Sequence, residues 1–337
     1  MRADTERLLT GSRWDLLHEQ DLAAVARVEG ALAEGALDSF MRSGFVHILT
    51  PHITKATGAC ENIETLFSVD YFGSPGFLVQ TGQLYLEAFI PRLQRVYCMG
   101  PSFRAEPAVD ARHLTEFPLL EIEFATPPEG GLQVLMAQIE ETVTSMLRRA
   151  LATAREPLEL LGADIPSLRK VRAPFPKIPY REAISLLNGM GEQLRFGDDL
   201  KHPHEQKLAA HAGGPVFITH YPKAIKFFNM RENPDQPAVV NSADLILPHS
   251  GEAVGAAERE HDYGKLLARL QASSMLRLLE RRGGGIEDFR WYLDLVRAHP
   301  VPHAGCGIGL NRVTQFVLGS GDIRASTAFP LNKEFLL

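Results

Sequence analysis

The chain has 337 residues, 45% hydrophobic and 23% charged, with a formal net charge of −6, a composition typical of a globular protein and unlike that of most phosphate-backbone binders. Its three cysteines, Cys60, Cys98 and Cys306, lie far apart in the sequence, which argues against a disulfide framework or a thiolate zinc site. The N-terminus lacks the apolar core of a signal peptide and no apolar run approaches the roughly 20 residues that span a bilayer, so we predict a cytoplasmic protein with no membrane partner.

The N-terminal quarter predicts one long helix followed by short extended segments. Residues 15–42 carry apolar side chains at near-helical spacing, and Gly44 is placed to end that helix. The run from 44 to 54 predicts a strand that ends at Pro51. Residues 76–90 begin with a strand pattern and become helical.

The middle of the chain predicts a hairpin, a helix and a connection. Residues 95–106 and 119–125 are two β-rich runs separated by a charged loop, the outline of a long hairpin. Residues 131–154 form an amphipathic helix with one apolar face. Proline and glycine become frequent over 160–215, which indicates a connecting region or small insertion.

The C-terminal third predicts further strands and two helices. Residues 215–222 and 238–248 have strand patterns, 262–282 are helical, and 305–319 form a strand-to-helix junction with glycines at the turn. Strands and helices do not alternate regularly along the chain. This order predicts an α+β fold in which helices pack on a mixed or antiparallel sheet.

The most informative chemistry lies between residues 103 and 123. Arg104 and Arg112 fall on the hairpin loop, where two guanidinium groups can clamp a polyphosphate. An aromatic side chain of the same stretch can stack on a base, and carboxylates on the return strand can hold an ammonium group or Mg²⁺. For any of these residues alone, a solvated charged hairpin is the alternative.

Two further groups of residues point the same way. The run from Gly305 to Arg312 places a glycine-rich turn before a helix, which allows backbone to approach phosphate closely. Asp244 and Glu252 offer oxygen ligands for Mg²⁺, and Arg259 offers donors for a carbonyl or carboxylate. Each group is a weak signal alone, because glycine turns and solvated acids are common.

Together these segments resemble the catalytic core of the class II aminoacyl-tRNA synthetases, and within them the asparaginyl branch of the aspartyl and asparaginyl group. Residues 103–123 are similar to motif 2 of that family, 305–330 to motif 3, and 44–54 to motif 1, with Pro51 as its proline. The resemblance covers about residues 38–330. It implies a class II antiparallel β-sheet flanked by helices, in a single catalytic domain over 1–337 with a helical N-terminal segment over 1–40.

The resemblance also implies roles for individual residues. Catalysis and ATP binding would use Arg104, Glu106, Arg112, His113, Leu114, Phe117, Glu252, Gly309 and Arg312, with Arg104 and Arg312 as the catalytic pair. The metal ligands for Mg²⁺ would be Asp244 and Glu252. The amino acid would be held by Glu61, Gln83, Glu87, Glu121 and Arg259, of which Glu87 and Arg259 would bind its side chain. The resemblance further implies a homodimer formed through motif 1, with Phe45, Ile48 and Pro51 at the interface.

The chain departs from the family in four places. Asn311 stands where motif 3 carries an acid, Leu331 stands where an arginine follows Phe329 and Pro330, and residues 60–64 replace an acidic, glycine-rich loop. The stretch before motif 1 has no room for the N-terminal β-barrel that binds the anticodon.

From the missing barrel we predict that tRNA is an unlikely partner. The leading hypothesis is ATP-dependent adenylation of asparagine or a similar amino acid, with AMP and pyrophosphate formed and transfer to an acceptor other than tRNA. The alternatives are an asparagine synthetase that uses aspartate and ammonia, an ATP-dependent dehydration of an amide to a nitrile, and a non-catalytic regulatory paralogue.

Overall fold

One large, mostly antiparallel β-sheet organises the molecule, as the α+β prediction requires. The computed structural model describes residues 8–9, 13–56 and 63–335. Its strands are β1 (Val46–His47), β2 (Ile53–Thr54), β3 (Ser68–Tyr71), β4 (Ser74–Leu78), β5 (Arg95–Phe103), β6 (Glu116–Ala125), β7 (Lys177–Pro179), β8 (Val216–Thr219), β9 (Ser242–Leu247), β10 (Gly251–Glu258) and β11 (His303–Gly309). Eight of them form a sheet in the order β1-β5-β6-β11-β10-β9-β8-β7, and β2-β4-β3 form a small second sheet. Only the two outer pairs of the large sheet, β1 with β5 and β7 with β8, are parallel among these strands.

The helices surround this sheet. They are α1 (Arg13–Leu16), α2 (Gln20–Arg42), α3 (Gln83–Glu87), α4 (Ile90–Leu93), α5 (Gly131–Thr153), α6 (Arg155–Leu160), α7 (Ile165–Leu168), α8 (Tyr180–Gly189), α9 (His202–Ala212), α10 (Tyr263–Ala272), α11 (Ser274–Glu280), α12 (Arg290–Ala298) and α13 (Leu310–Leu318). None of the helices in the described residues is both long enough and apolar enough to cross a membrane. The location of the protein in the cell stays a prediction.

Helices α2 and α5 cover one face of the sheet and form the main core with it. Their apolar stripes, which include Val28 and Leu32 on α2 and Ile139 and Val143 on α5, are fully buried. Each buried aliphatic side chain of this kind stabilises the fold by about 1.5–3 kcal/mol. The two helices approach closely at Gly35, where a Cβ atom would lie 2.7 Å from the backbone of Met146.

The hairpin of β5 and β6 is confirmed and carries the central part of the site. Cys98 pairs with Glu121 and Ser102 with Phe117, and the loop between the strands holds the two predicted clamp arginines. Because side chains alternate along a strand, Phe117 and Glu121 lie on the same face of β6. That face is turned away from α2 and α5, so it is open to a substrate.

Three predicted elements differ in detail from the structure. The run 44–54 forms two short strands in different sheets, since Pro51 between them lacks an N–H for a ladder. The helix predicted over 262–282 is divided at Ser273, whose extended backbone ends α10 and whose hydroxyl accepts from Leu276 N at 3.1 Å to cap α11. The connecting region over 160–215 contains α7, α8 and α9 and strand β7 at the sheet edge.

Candidate functional site

A cavity above β6, β10 and β11 collects residues that are far apart in the sequence. Its walls include the predicted nucleotide-binding residues Arg104, Glu106, Arg112, His113, Leu114, Phe117, Glu252, Gly309 and Arg312. They also include Asp244 and three of the predicted amino-acid ligands, Gln83, Glu121 and Arg259. The fold thus brings together most of the residues that the motifs indicated.

Arg312 is fixed at one end of this cavity by two backbone carbonyl groups. Its Nη1 donates to Ser250 O at 2.6 Å and its Nη2 to Arg112 O at 2.7 Å. Burial and the nearby charge of Arg112 lower the pKa of Arg312 to about 10. The guanidinium is therefore still charged at neutral pH, and a bound polyanion would relieve the repulsion between the cations.

Arg104 and Phe117 form a second cationic and aromatic pair on the hairpin. The guanidinium carbon of Arg104 lies 5.4 Å from the centroid of the Phe117 ring, which is within the range of a cation–π contact. Both side chains are half-buried and line the cavity. The geometry leaves an aromatic face and an always-charged bidentate donor beside one another, which suits a base and a phosphate.

The loop that carries Arg112 and His113 is held by Asp110. The Asp110 carboxylate accepts from the backbone N–H groups of Arg112 at 2.7 Å and His113 at 2.9 Å, and it lies 2.8 Å from His113 Nδ1. Partial burial opposes its ionisation, but these hydrogen bonds lower the pKa of Asp110 overall. The Arg112 guanidinium also lies 3.7 Å from the buried carboxylate of Glu205, which partly offsets the positive charge of Arg112.

Glu121 lies at the other end of the cavity. Its carboxylate accepts from Gly82 N at 2.7 Å and from the hydroxyl of Thr81, and Cys98 Sγ lies 3.6 Å from it. Burial raises the pKa of Glu121 although the two hydrogen bonds oppose that change. A carboxylate held in this way is a good partner for the α-ammonium group of an amino acid, which would restore its ionised form.

Arg259 and Glu123 form a buried ion pair at this same end. Arg259 Nε and Nη2 donate to Glu123 Oε1 at 3.0 and 2.5 Å, and each side chain is at most 5% exposed. Burial alone would lower the pKa of Arg259, but the Glu123 carboxylate raises it overall. Gly305 makes room for the pair, because a Cβ atom there would lie 2.1 Å from the Glu123 carboxyl carbon.

Glu87 does not line the cavity, which differs from the direct role expected for it. Its carboxylate accepts from Gln83 Nε2 at 2.6 Å and from Tyr292 Oη at 2.7 Å, and His303 Nε2 lies 3.1 Å away. Burial would raise the pKa of Glu87, but His303 lowers it overall. In this structure Glu87 contacts Gln83, which lines the cavity, and does not itself line it.

One buried group resembles a metal site by distance alone. Ligand atoms of Glu87, Glu123 and His303 lie within 4.8 Å of one another. Arg259 already neutralises Glu123. Burial would lower the pKa of His303, but the neighbouring Glu87 carboxylate raises this pKa overall. The charges are balanced by protein cations, so this cluster does not need a metal ion.

The predicted metal ligands lie elsewhere in the cavity, on neighbouring strands. Asp244 on β9 is buried and lies 2.5 Å from Lys226 Nζ, whose ammonium also lies 4.1 Å from the Tyr221 ring centroid. Glu252 on β10 is half-buried and its backbone N–H donates to Glu205 at 3.3 Å. Both carboxylates offer the hard oxygen ligands that Mg²⁺ prefers, and Lys226 already balances the charge of Asp244.

Sequence reasoning missed several residues of this site. Lys226, Thr81 and Asn311 line the cavity without having been assigned a role, and Glu123 was noted only as one carboxylate of the return strand. The two-residue spacing of Glu121 and Glu123 was a signal, since it places both on one face of β6. Glu61 lies outside the described residues.

Comparisons with known proteins agree on one family. The model of tRNA synthetases class II (D, K and N) matches residues 5–333. An asparagine–tRNA ligase of Desulforamulus reducens is 38% identical over 308 residues, which cover 91% of this chain and 68% of that protein. One from Pelotomaculum thermopropionicum is 39% identical over 310 residues, covering 91% and 69%. The crystal structure of asparaginyl-tRNA synthetase from Pyrococcus horikoshii complexed with asparaginyl-adenylate superposes with a TM-score of 0.89 at 35% identity, covering 99% of this chain and 74% of that one.

These relatives correct the predicted acceptor. The hypothesis of transfer to an acceptor other than tRNA, with its three alternatives, is wrong, because the relatives named above are asparagine–tRNA ligases or synthetases. The expectation that tRNA is an unlikely partner loses its support for the same reason. Both depended on the expectation that no barrel precedes residue 44 and on the acidic balance. Neither feature bears on the chemistry of a cavity built by β6, β10 and β11.

Proposed function

The chain belongs to the class II tRNA synthetases of the D, K and N group, which are AMP-forming ligases, and from this premise we propose that it activates asparagine with ATP and transfers the asparaginyl group to tRNA. The Arg259–Glu123 pair is the observation that carries the choice of amino acid. Arg259 lines the cavity with its charge already matched by a buried carboxylate. A neutral amide fits such a charge balance better than a second carboxylate does.

The proposed first step needs no nucleophile from the protein. An oxygen of the asparagine α-carboxylate attacks the α-phosphorus of ATP in line, and the bond to the departing pyrophosphate breaks as the new P–O bond forms. Catalysis is then positioning and neutralisation of charge. Burial raises the pKa of the Cys98 and Cys306 thiols, so both stay protonated and neither provides a covalent route.

Each end of the cavity has its own part in this step. Arg104 would hold the α-phosphate, and Arg112, His113 and Arg312 would hold the β- and γ-phosphates, with adenine on Phe117. Asp244 and Glu252 would hold Mg²⁺, which when bound supplies charge neutralisation at the phosphates. Gln83 and Glu121 would orient the α-ammonium group. In the second step a ribose hydroxyl at the tRNA 3′ end attacks the carbonyl carbon, and AMP leaves.

We expect ATP–pyrophosphate exchange that depends on asparagine and prefers it to aspartate by about tenfold or more. An aspartate side chain beside Arg259 would meet the carboxylate of Glu123, and like charges about 4 Å apart repel by roughly 1–4 kcal/mol between water and a surface-like dielectric. Exchange rates with both amino acids over a concentration series give the ratio. Equal or faster exchange with aspartate contradicts the assignment.

The transfer step is tested separately. The purified protein, with ATP, asparagine and a tRNA-Asn transcript, is expected to form asparaginyl-tRNA, measured as acid-precipitable labelled asparagine. A tRNA-Lys transcript is the matched control and should not be charged. Exchange without charging would leave the activation step in place and remove the proposed acceptor.

We also propose a homodimer formed through the edge strand β1. This strand ends the large sheet, and Leu49 beside it is 88% exposed, with Met41 and Val46 exposed nearby. Exposed apolar side chains at an unpaired strand edge favour association. Phe45, which we expected at this interface, is instead buried against Phe40 and Phe124 in the core of the subunit.

Light scattering at micromolar concentration should therefore give twice the mass of one chain. An interface of this kind typically buries on the order of 2,000 Å², so Leu49→Asp should shift the mass to that of one chain. Leu160→Asp, at a partly exposed leucine on α6, is the matched control and should not change it. A wild-type protein with the mass of one chain excludes the dimer.

A further inference from the structure

Glu29 is a carboxylate of helix α2 that reaches the nucleotide end of the cavity from the core side. Its Oε1 accepts from Asn311 Nδ2 at 2.6 Å and its Oε2 from Ala328 N at 3.3 Å. The side chain of Thr327 is a third hydrogen-bond partner. No sequence motif indicated this contact, since Glu29 and Asn311 are 282 residues apart.

The Asn311 side chain joins Glu29 to the cavity. Asn311 is 2% exposed, lines the cavity and precedes Arg312 on the first turn of α13. In its ionised form the Glu29 carboxylate can only accept, which requires the amide NH₂ group of Asn311 to face helix α2. The same first turn then directs Arg312 to its two carbonyl partners, Ser250 O and Arg112 O.

The second contact of Glu29 reaches the same loop by another route. Ala328 lies in a segment whose two ends are attached to the β5–β6 loop: Ile323 N donates to Ala111 O, and Thr115 N donates to Leu331 O, both at 2.9 Å. Arg112 and His113, two of the predicted phosphate ligands, lie between these two attachments. Glu29 therefore contacts two segments beside this loop: the first turn of α13, through Asn311, and residues 323–331, through Ala328.

We propose that Glu29 is a positioning residue for ATP: it holds Asn311 and residues 327–328 so that Arg312 and the β5–β6 loop meet the phosphates. This proposal rests on the proposed function. The charged group beside Glu29 is Arg13, whose Nη2 donates to Arg324 O at 2.6 Å on the same segment. Burial raises the pKa of Glu29 to about 7, although the hydrogen bonds from Ala328, Thr327 and Asn311 and the charge of Arg13 oppose that change.

Calorimetric titration of the purified full chain tests the proposal with two probes, α,β-methylene-ATP and asparagine. Glu29→Leu should weaken binding of the ATP analogue about tenfold and leave asparagine binding within twofold. Glu34→Leu is the matched control, because Glu34 lies on the same helix, is exposed and pairs with Arg149. It should change neither affinity. If Glu29→Leu does not fold, Glu29→Gln keeps one acceptor oxygen and should show the same selectivity with a smaller change.

A double-variant comparison separates positioning from general loosening of the fold. In an Arg312→Ala background, Glu29→Leu should add little further loss of affinity for the ATP analogue, because the two residues act through one contact. Additive losses, an equal loss of asparagine affinity, or an unchanged affinity for the analogue would each overturn the role of Glu29. A wild-type chain that binds no ATP analogue would instead remove the proposed function.

Discussion

Arg104→Ala should reduce asparagine-dependent ATP–pyrophosphate exchange by about 10²–10³-fold, the usual cost of removing one preorganised donor to the charge that develops in a transition state. Arg104 lies at the turn of the β5–β6 hairpin, beside the Phe117 ring and within the cavity. Its guanidinium is the predicted contact to the α-phosphate, the centre at which bonds form and break. Arg104→Lys should also be impaired, because an ammonium group lacks the bidentate geometry.

The loss should not come from unfolding. Arg104 is half-buried and lies near the cation Arg312, so its removal takes away a repulsion and should leave the thermal midpoint within a few degrees. Arg155→Ala is the matched control, since Arg155 forms an exposed pair with Glu159 on α6. It should keep exchange within twofold. Full exchange activity in Arg104→Ala would end the assignment of this residue to ATP.

Arg259→Met should abolish asparagine-dependent exchange and lower the free energy of unfolding by about 3–5 kcal/mol, the cost of leaving a buried carboxylate without its partner. Glu123 is at most 2% exposed in its side chain, and Arg259 supplies two of its hydrogen bonds. Chemical denaturation followed by fluorescence measures the stability, and the exchange assay measures the activity.

The double variant Glu123→Met/Arg259→Met separates the two effects. Replacing both charges by apolar groups of similar size is often neutral for stability, so most of the lost free energy should return. Activity should not return, because the substrate amide still lacks its donor. Arg290→Met, which removes an exposed ion pair with Glu287, is the control and should cost no more than about 1 kcal/mol. Recovery of exchange in the double variant would show that Arg259 has only a structural part.

The error over the acceptor has a physical basis. The motifs indicated most of the residues that line the cavity, where we propose that the amino acid is activated. Acceptor identity depends on surfaces that recognise a large partner, and these leave few short motifs in a sequence. The predicted acceptor was inferred from where the sequence begins, which carries no information on the chemistry of the cavity. Arg104, Arg112 and Arg312, in contrast, indicated a site for phosphate groups.

Local features of the sequence determined the kinds of element and most of the cavity wall. Arg104, Phe117 and Glu121 share one hairpin, and Gly309 and Arg312 share one strand-to-helix turn, so short-range pairing is enough to place each group. Hydrophobic period and turn residues are properties of neighbouring positions. A single sequence carries them without knowledge of the packing.

Only the tertiary structure decided which partner each buried charge has. Arg259 pairs with Glu123, 136 residues away, a partner that no motif of the sequence indicated. Glu87 is turned toward Tyr292 and His303, and Glu29 reaches Asn311 across the core. A buried charge must find a partner because its desolvation is costly. Which partner lies within reach depends on the order of strands in the sheet and on the helices packed against it, and no local pattern in the sequence records that order.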